Sequence, residues 1–210
     1  KGAQSGILIK SAEALEKMDK LDVLIIDKTG TITAGKPSVD KIVSFDQDEN
    51  SMLASIASLS QNSEHPLALS FLEYSKSKNI TLSEVADFNS ISGKGVTGVV
   101  DRVNVAFGNK KLMDQFNINS PEDAENRIKE EQKLGKTVSY ISMNGMLKGY
   151  ISIMDPIKKT SKKSIQDLMD QGIEVIMLTG DNENTAAAVA GELNLTSFKA
   201  GCLPADKLNE

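Results

Sequence analysis

The sequence predicts an α/β protein in two parts. Residues 1–36 and 151–210 form a discontinuous domain built on a parallel sheet, and residues 37–150 form an antiparallel α+β domain inserted within it. Three observations predict this. A near-continuous apolar run closed by a Gly/Thr/Asp loop, the mark of a parallel strand, occurs at 21–31 and again at 173–182. The middle third carries hairpin signals, the strongest being Asn144-Gly145 between the apolar runs 138–143 and 146–153. Ala34-Gly35-Lys36-Pro37 breaks regular structure where the first texture gives way to the second.

Taken in order, residues 6–10 predict a short edge strand. Residues 11–20 place Ala12, Leu15 and Met18 at helical spacing, with Ser11 as N-cap. The run 21–26 predicts a strand buried in the sheet that ends at Asp27. Residues 39–44 predict a strand, and 51–60 a helix with Met52, Ile56 and Leu59 on one face. A second helix starts at Pro66, a residue favoured at the first helical position, and buries Leu67, Phe71 and Leu72. Residues 89–95 are polar and predict a loop leading into a hairpin, 96–100 and 103–107, about Asp101-Arg102. Ser120-Pro121-Glu122-Asp123 predicts a helix start with Ser120 as cap, and Gly135 its end. Residues 164–171 predict a helix on Ile165, Leu168 and Met169, stopped by Gly172. The strand 173–178 and a helix burying Ala186, Val189, Ala190 and Leu193 follow.

Composition narrows the function classes. With 40% hydrophobic and 25% charged residues in 210, the chain is an ordinary globular sequence with material for one large core or two small ones. A formal charge of −5 argues against a nucleic-acid partner, which calls for a basic face. A single cysteine, Cys202, excludes an internal disulfide and paired-thiolate metal sites and fits a reducing compartment; with His65 the one histidine, Cys/His clusters are excluded too. No run approaches the roughly 20 apolar residues that span a bilayer. Residues 1–20 are too polar for a signal peptide, and the start at Lys1-Gly2-Ala3 reads as a piece of something longer. The piece is expected to be monomeric.

The chemistry centres on Asp27-Lys28-Thr29-Gly30-Thr31. Ligands bind at the carboxyl ends of parallel strands, and Asp27 ends one of them. A carboxylate there is a competent nucleophile toward phosphorus if the turn's amides and the Thr29 or Thr31 hydroxyls hold the phosphate oxygens. An isolated Asp-x-Thr is as readily a turn cap; the full pentapeptide after an apolar strand favours the nucleophile. Thr179, at the end of the second such strand, offers a hydroxyl, and the helix start near Gly180, Asp181 and Asn182 offers amides for an anion, although Asp181 capping a turn explains the triplet equally well in isolation. Lys207 is a cation placed after both.

Asp-Lys-Thr-Gly-Thr is the phosphorylation motif of P-type ATPases, and the chain resembles that family within the haloacid-dehalogenase-like superfamily, a Rossmann-type fold. Thr179-Gly180-Asp181 and Leu203-Pro204-Ala205-Asp206-Lys207 resemble its next motifs in order, and Ser63-Glu64-His65-Pro66 resembles the signature of heavy-metal transporters. Gly93-Lys94-Gly95-Val96 and Gly108-Asn109 resemble the family's nucleotide loops, and Asp155 an aspartate near the phosphates. The resemblance implies that ATP binds with adenine at Glu64 and His65, that Asp27 becomes an aspartyl-phosphate assisted by Thr179 and Lys207, and that Mg²⁺ is held partly by the Asp27 carboxylate and the Thr29 carbonyl. A threonine two positions after the nucleophile replaces the general acid of soluble phosphatases, which favours a persistent phosphoenzyme over a soluble phosphatase. The other alternative is a non-catalytic nucleotide-binding or phospho-signalling module, and signalling receivers lack the insert and the Asp-Lys-Thr-Gly-Thr turn. It further implies transmembrane and actuator domains as partners, a location on the cytoplasmic side of a membrane, ATP and ADP as ligands, and a transported heavy metal bound elsewhere, most like copper(I) or silver(I), with zinc, cadmium or lead the alternative. The family's Gly-Asp-Gly-x-Asn-Asp motif, a Mg²⁺ ligand source, would follow Glu210, so this stretch alone is expected to hydrolyse ATP poorly.

Overall fold

The computed structural model describes residues 8, 11, 13, 16, 18, 20–45, 49–63, 66–203 and 206. Two sheets organise them. β1 (Val23–Asp27), β8 (Glu174–Leu178) and β9 (Ser197–Lys199) form a parallel sheet in the order β1-β8-β9. Between β1 and β8 in sequence lies a six-stranded antiparallel sheet of order β2-β7-β6-β5-β4-β3. Its strands are β2 (Ser38–Ser44), β3 (Val85–Ile91), β4 (Gly95–Val100), β5 (Val103–Gly108), β6 (Thr137–Met143) and β7 (Met146–Met154). The helices are α1 (Glu49–Ser60), α2 (Pro66–Ser77), α3 (Lys110–Gln115), α4 (Glu122–Lys133), α5 (Ser161–Asp170) and α6 (Glu183–Glu192).

Strand alternation sorts the antiparallel sheet's side chains to two cores. Val105, Phe107, Ile141 and Ile151 face α1 and α2, where they meet Met52, Ile56, Leu59 and Phe71; Phe71 and Phe107 pack edge to face at 4.9 Å. Ala106, Tyr140 and Tyr150 face the other way, onto Leu112, Met113 and Ile128. The hairpin turns Asp101-Arg102 and Asn144-Gly145 have both central residues at positive φ, the geometry that matches strand twist. The parallel sheet packs Val175 and Met177 against Ile165 of α5 and Ala186, Val189 and Ala190 of α6.

The chain leaves the parallel sheet and returns to it along adjacent segments. Thr33 bridges Ile157, Ala34 N–H donates to Pro156 O (2.9 Å) and Lys158 N–H to Ile32 O (3.0 Å).

Three sequence expectations are corrected, and two short elements are added. The first half of the predicted loop 89–95 is strand: Asn89, Ser90 and Ile91 pair with β4, and the turn is confined to 92–94. A register shift between Ala86 and Asn89, with Asp87 at φ 51°, spaces Val85, Phe88 and Ile91 three apart and erases the two-residue period. β1 is not buried on both faces: Val23 is 42% and Ile25 39% exposed, because nothing among the described residues covers the face they share. Ser120 does not cap α4: Pro121 holds the cap position without a side-chain bond, and the buried Ser120 hydroxyl has no partner among the described residues. Finally, α3 and β9 had no counterpart in the sequence reading; both are short. Of the early elements, residues 13, 16 and 18 are helical and Leu8 is exposed and outside any strand; the rest of 6–10, with Ala12 and Leu15, lies outside the described residues.

Candidate functional site

Asp27 ends β1 directly opposite Leu178, the last residue of β8, so Asp27 and Thr179 stand at the same sheet edge. After Asp27 the chain makes a wide turn closed by Thr33 N–H on Lys28 O at 3.0 Å. Thr29 (φ −75°, ψ 122°) and Gly30 (φ 78°, ψ −16°) have type II turn angles, for which glycine is the favoured second residue. Thr29, Gly30 and Thr31 are exposed, whereas Lys28, Ile32 and Thr33 are buried. Thr33 is the anchor. Its hydroxyl accepts from Gly30 N–H (3.1 Å) and lies 2.5 Å from Asp155 Oδ2, to which it donates. Lys158 Nζ donates to Gly30 O (2.7 Å). A presented turn with two free-facing threonines is thus clamped from beneath by residues on both linker segments.

The second half of the site is a polar node at Asp181. Thr179 Oγ1 donates to Asp181 Oδ2 (3.0 Å) and accepts from Asp181 N–H (3.1 Å). Lys28 forms an ion pair with the same carboxylate, both side chains at or below 10% exposure. Thr137 Oγ1, from β6, donates to Asp181 Oδ1 (2.8 Å). Asp181 therefore does not cap α6; Asn182 does, accepting from Thr185 N–H at 3.1 Å. The backbone is also held, by Gly201 N–H to Asp181 O (2.7 Å) and Cys202 N–H to Thr179 O (3.0 Å).

On the antiparallel sheet, Gly93, Gly95, Gly108 and Asn109 come together. Gly95 and Gly108 face each other across β4 and β5; a Cβ on Gly108 would overlap Lys94 O and lie 2.8 Å from Gly95 Cα. Asn109 caps α3, accepting from Leu112 N–H (3.2 Å), and donates through Nδ2 to Gly93 O (2.8 Å). Leu203 sits directly on Gly93, so the turn after β9 touches the glycine loop.

A partly buried charge cluster joins β2, α4 and the turn before β6. Lys136 pairs with Asp40 and Glu131 (2.7 Å each), and Lys41 with Glu131 (2.8 Å). The Lys136 hydrogen bond holds the Asp40 carboxyl below its ordinary value. Burial pushes Glu131 up, but bonds from Lys136 and Lys41 outweigh it and leave it lowered. For Lys136, burial is outweighed by its two carboxylates and its pKa is raised.

The family model for haloacid dehalogenase-like hydrolases matches residues 21–208. The chain belongs to that family. Among curated relatives, a copper-exporting P-type ATPase of Legionella pneumophila is 42% identical over 207 residues, covering 99% of this chain and 28% of the relative. A silver exporting P-type ATPase of Salmonella typhimurium is 41% identical over 209 residues, 99% of this chain and 25% of the relative. The chain thus spans about a quarter of the length of these relatives. Of solved structures, the catalytic domain of the CPx-ATPase CopB-B superposes with TM-score 0.75 at 26% identity, covering 99% of this chain and 71% of that one. A zinc-transporting PIB-type ATPase superposes with TM-score 0.63 at 32% identity, covering 99% and 34%. The haloacid-dehalogenase-like α/β fold expected from sequence is the fold found. No helix among the described residues is long and apolar enough to cross a membrane.

In this haloacid-dehalogenase-like chain the predicted residues divide. Asp27, Thr29, Thr179, Gly180 and Asp181 share one sheet edge; Asp155 joins them through Thr33 but also accepts from Lys36 N–H (3.2 Å) on the linker. Val96 is buried in the core with Met52, Ile56, Leu59 and Phe71 of α1 and α2. Glu64, His65 and Lys207 lie outside the described residues. Sequence reasoning missed Thr33, Thr137, Lys158 and the Lys28 side chain. Lys28 had a signal, since alternation puts it opposite Asp27. Thr137 had none: it lies 44 residues from Asp181.

Proposed function

We propose that this chain is the ATP-binding and phosphorylation region of a heavy-metal-transporting P-type ATPase, with copper(I) or silver(I) as cargo. Residues 1–36 and 151–210 are the phosphorylation domain and 37–150 the nucleotide-binding domain. The observation that carries the reading is the placement of Asp27 beside Thr179 at the carboxyl end of a parallel strand pair, in a chain about 40% identical to copper and silver exporters. Adenine binds at Glu64 and His65, and the Gly93–Gly95 and Gly108–Asn109 loops approach the nucleotide. An Asp27 carboxylate oxygen forms a bond to the γ-phosphorus as the bond to the β,γ-bridging oxygen breaks, and that electron pair leaves with ADP. The Thr29, Thr31 and Thr179 hydroxyls and the turn's amides orient the phosphoryl oxygens, and Lys207 neutralises charge. The donors present, a strand-end carboxylate and backbone carbonyls on an exposed turn, are hard oxygens that suit Mg²⁺, which favours one or two carboxylates plus water and phosphate. Asp27 and the Thr29 carbonyl would hold it, and it would screen charge on the transferred group. In the parent protein this chemistry on the cytoplasmic face, coupled to transmembrane and actuator domains, drives metal across the membrane.

The test is acid-quenched labelling of the full-length protein with γ-³²P-ATP. A hydroxylamine-labile label that disappears in Asp27→Asn is expected; label surviving that substitution overturns the mechanism. The 32% identity to a zinc-transporting ATPase favours zinc as the second reading, decided by which ion stimulates labelling.

A further inference from the structure

At Asp181 a side chain of the six-stranded sheet bonds a carboxylate at the edge of the parallel sheet. Donors reach that carboxylate from Lys28, beside Asp27, from Thr179 at the end of β8, and from Thr137 at the start of β6. Thr137 is itself fixed from behind. The preceding Lys136 is pinned by Asp40 and Glu131, and its carbonyl accepts from Thr185 Oγ1 of α6 at 2.8 Å. Asn184 Nδ2 donates to Gln132 Oε1 (3.1 Å), and Val189 packs against Gly135. The turn from α4 to β6 is therefore seated on the first half of α6, and the hydroxyl that projects from it reaches the node beside Asp27.

We infer that Thr137 is a positioning residue for the phosphorylation site: its hydroxyl orients the Asp181 carboxylate, and through it the Lys28 ammonium and the Thr179 hydroxyl, when the two sheets are docked. The inference rests on the reading of Asp27 as the phosphorylated residue. A carboxylate held by donors on both oxygens has one orientation. Without Thr137 the Oδ1 donor is lost, the carboxylate turns about its own axis, and the two groups that share Oδ2 turn with it. Formation of the phosphoenzyme thereby becomes conditional on the position of the antiparallel sheet, which the linkers at 33–37 and 154–158 leave to be set by contact.

Two measurements test this. In the full-length protein, Thr137→Val is expected to slow label transfer from γ-³²P-ATP by about ten- to a hundredfold, at unchanged half-saturating ATP, since misplaced groups cost rate rather than binding. Thr137→Ser, which keeps the hydroxyl, is expected to restore it. Equal rates in wild type and Thr137→Val overturn the inference alone, as does Thr137→Ser being as slow as Thr137→Val. Absence of label in the unsubstituted protein overturns the phosphorylation reading and this inference with it. Independently of turnover, the Lys28 ammonium resonance of ¹⁵N-lysine-labelled chain is expected to exchange with water faster in Thr137→Val and not in Thr137→Ser; unchanged exchange in Thr137→Val overturns the proposed coupling.

Discussion

The turn after Asp27 and the turn between Gly93 and Gly95 both carry glycine, and both belong to the proposed ATP site, yet different physics holds them. At Gly30 a Cβ would meet nothing within 4 Å; glycine is there for its φ of 78°. The turn's shape comes from polar groups beneath it, the buried Thr33, the half-buried Asp155 and the Lys28–Asp181 pair. At Gly95 and Gly108 the reverse holds: two strands approach so closely that any side chain strikes backbone. The difference teaches that the turn after Asp27 is set by charges and hydroxyls that can be rearranged, whereas the glycine loop is set by steric fit that cannot.

The contrast can be broken in order of effect. Lys28→Met strands the buried Asp181 carboxylate and is expected to cost about 3–5 kcal/mol in urea unfolding; a loss below about 1 kcal/mol would show that the pair does not hold the turn. Gly108→Ala is expected to cost about 2–3 kcal/mol, because Lys94 O and the Gly95 backbone must give way, and to disturb the Gly93 amide in NMR spectra. Gly30→Ala, with open space but positive φ, is expected to cost only about 1–2 kcal/mol; equality with Gly108→Ala would erase the distinction. Gly180→Ala, whose Cβ would lie an ordinary 3.5 Å from Cys202 O, is expected to stay within about 0.5 kcal/mol.

Acid sharpens the same comparison. Asp40 and Glu131 have folded-state pKa values below their unfolded ones, so their contribution is fully present above the unfolded values of about 4 and is lost as pH falls through the lowered folded values. Thermal melts between pH 6 and pH 3 are expected to show this loss, and Glu131→Gln to flatten the dependence. An unchanged slope in that variant would remove Glu131 from the account.

How much was legible in the sequence follows from where each signal is stored. Asn144-Gly145 encodes its hairpin locally, because those two residues tolerate the backbone angles the turn demands. Asp27 and Thr179 could be placed at one sheet edge because each follows its own apolar strand and parallel strands end together. β3 was hidden by a bulge that changed its period, and β9 by being three residues long. Asn109 looked like part of a ligand loop, and its structure also makes it the cap that fastens Gly93 to α3.

By itself, then, the sequence determined the α/β class, the two strand-end motifs and the hairpins of the middle third, all of which are written in short-range periodicity and turn chemistry. The tertiary structure alone decided that Lys28 turns inward to Asp181, that Thr33 and Asp155 clamp the turn after Asp27 across 122 residues of sequence, and that Thr137 reaches the same node. The physical reason is that a buried polar group must find a partner wherever the fold brings one, and no local pattern records which partner that will be.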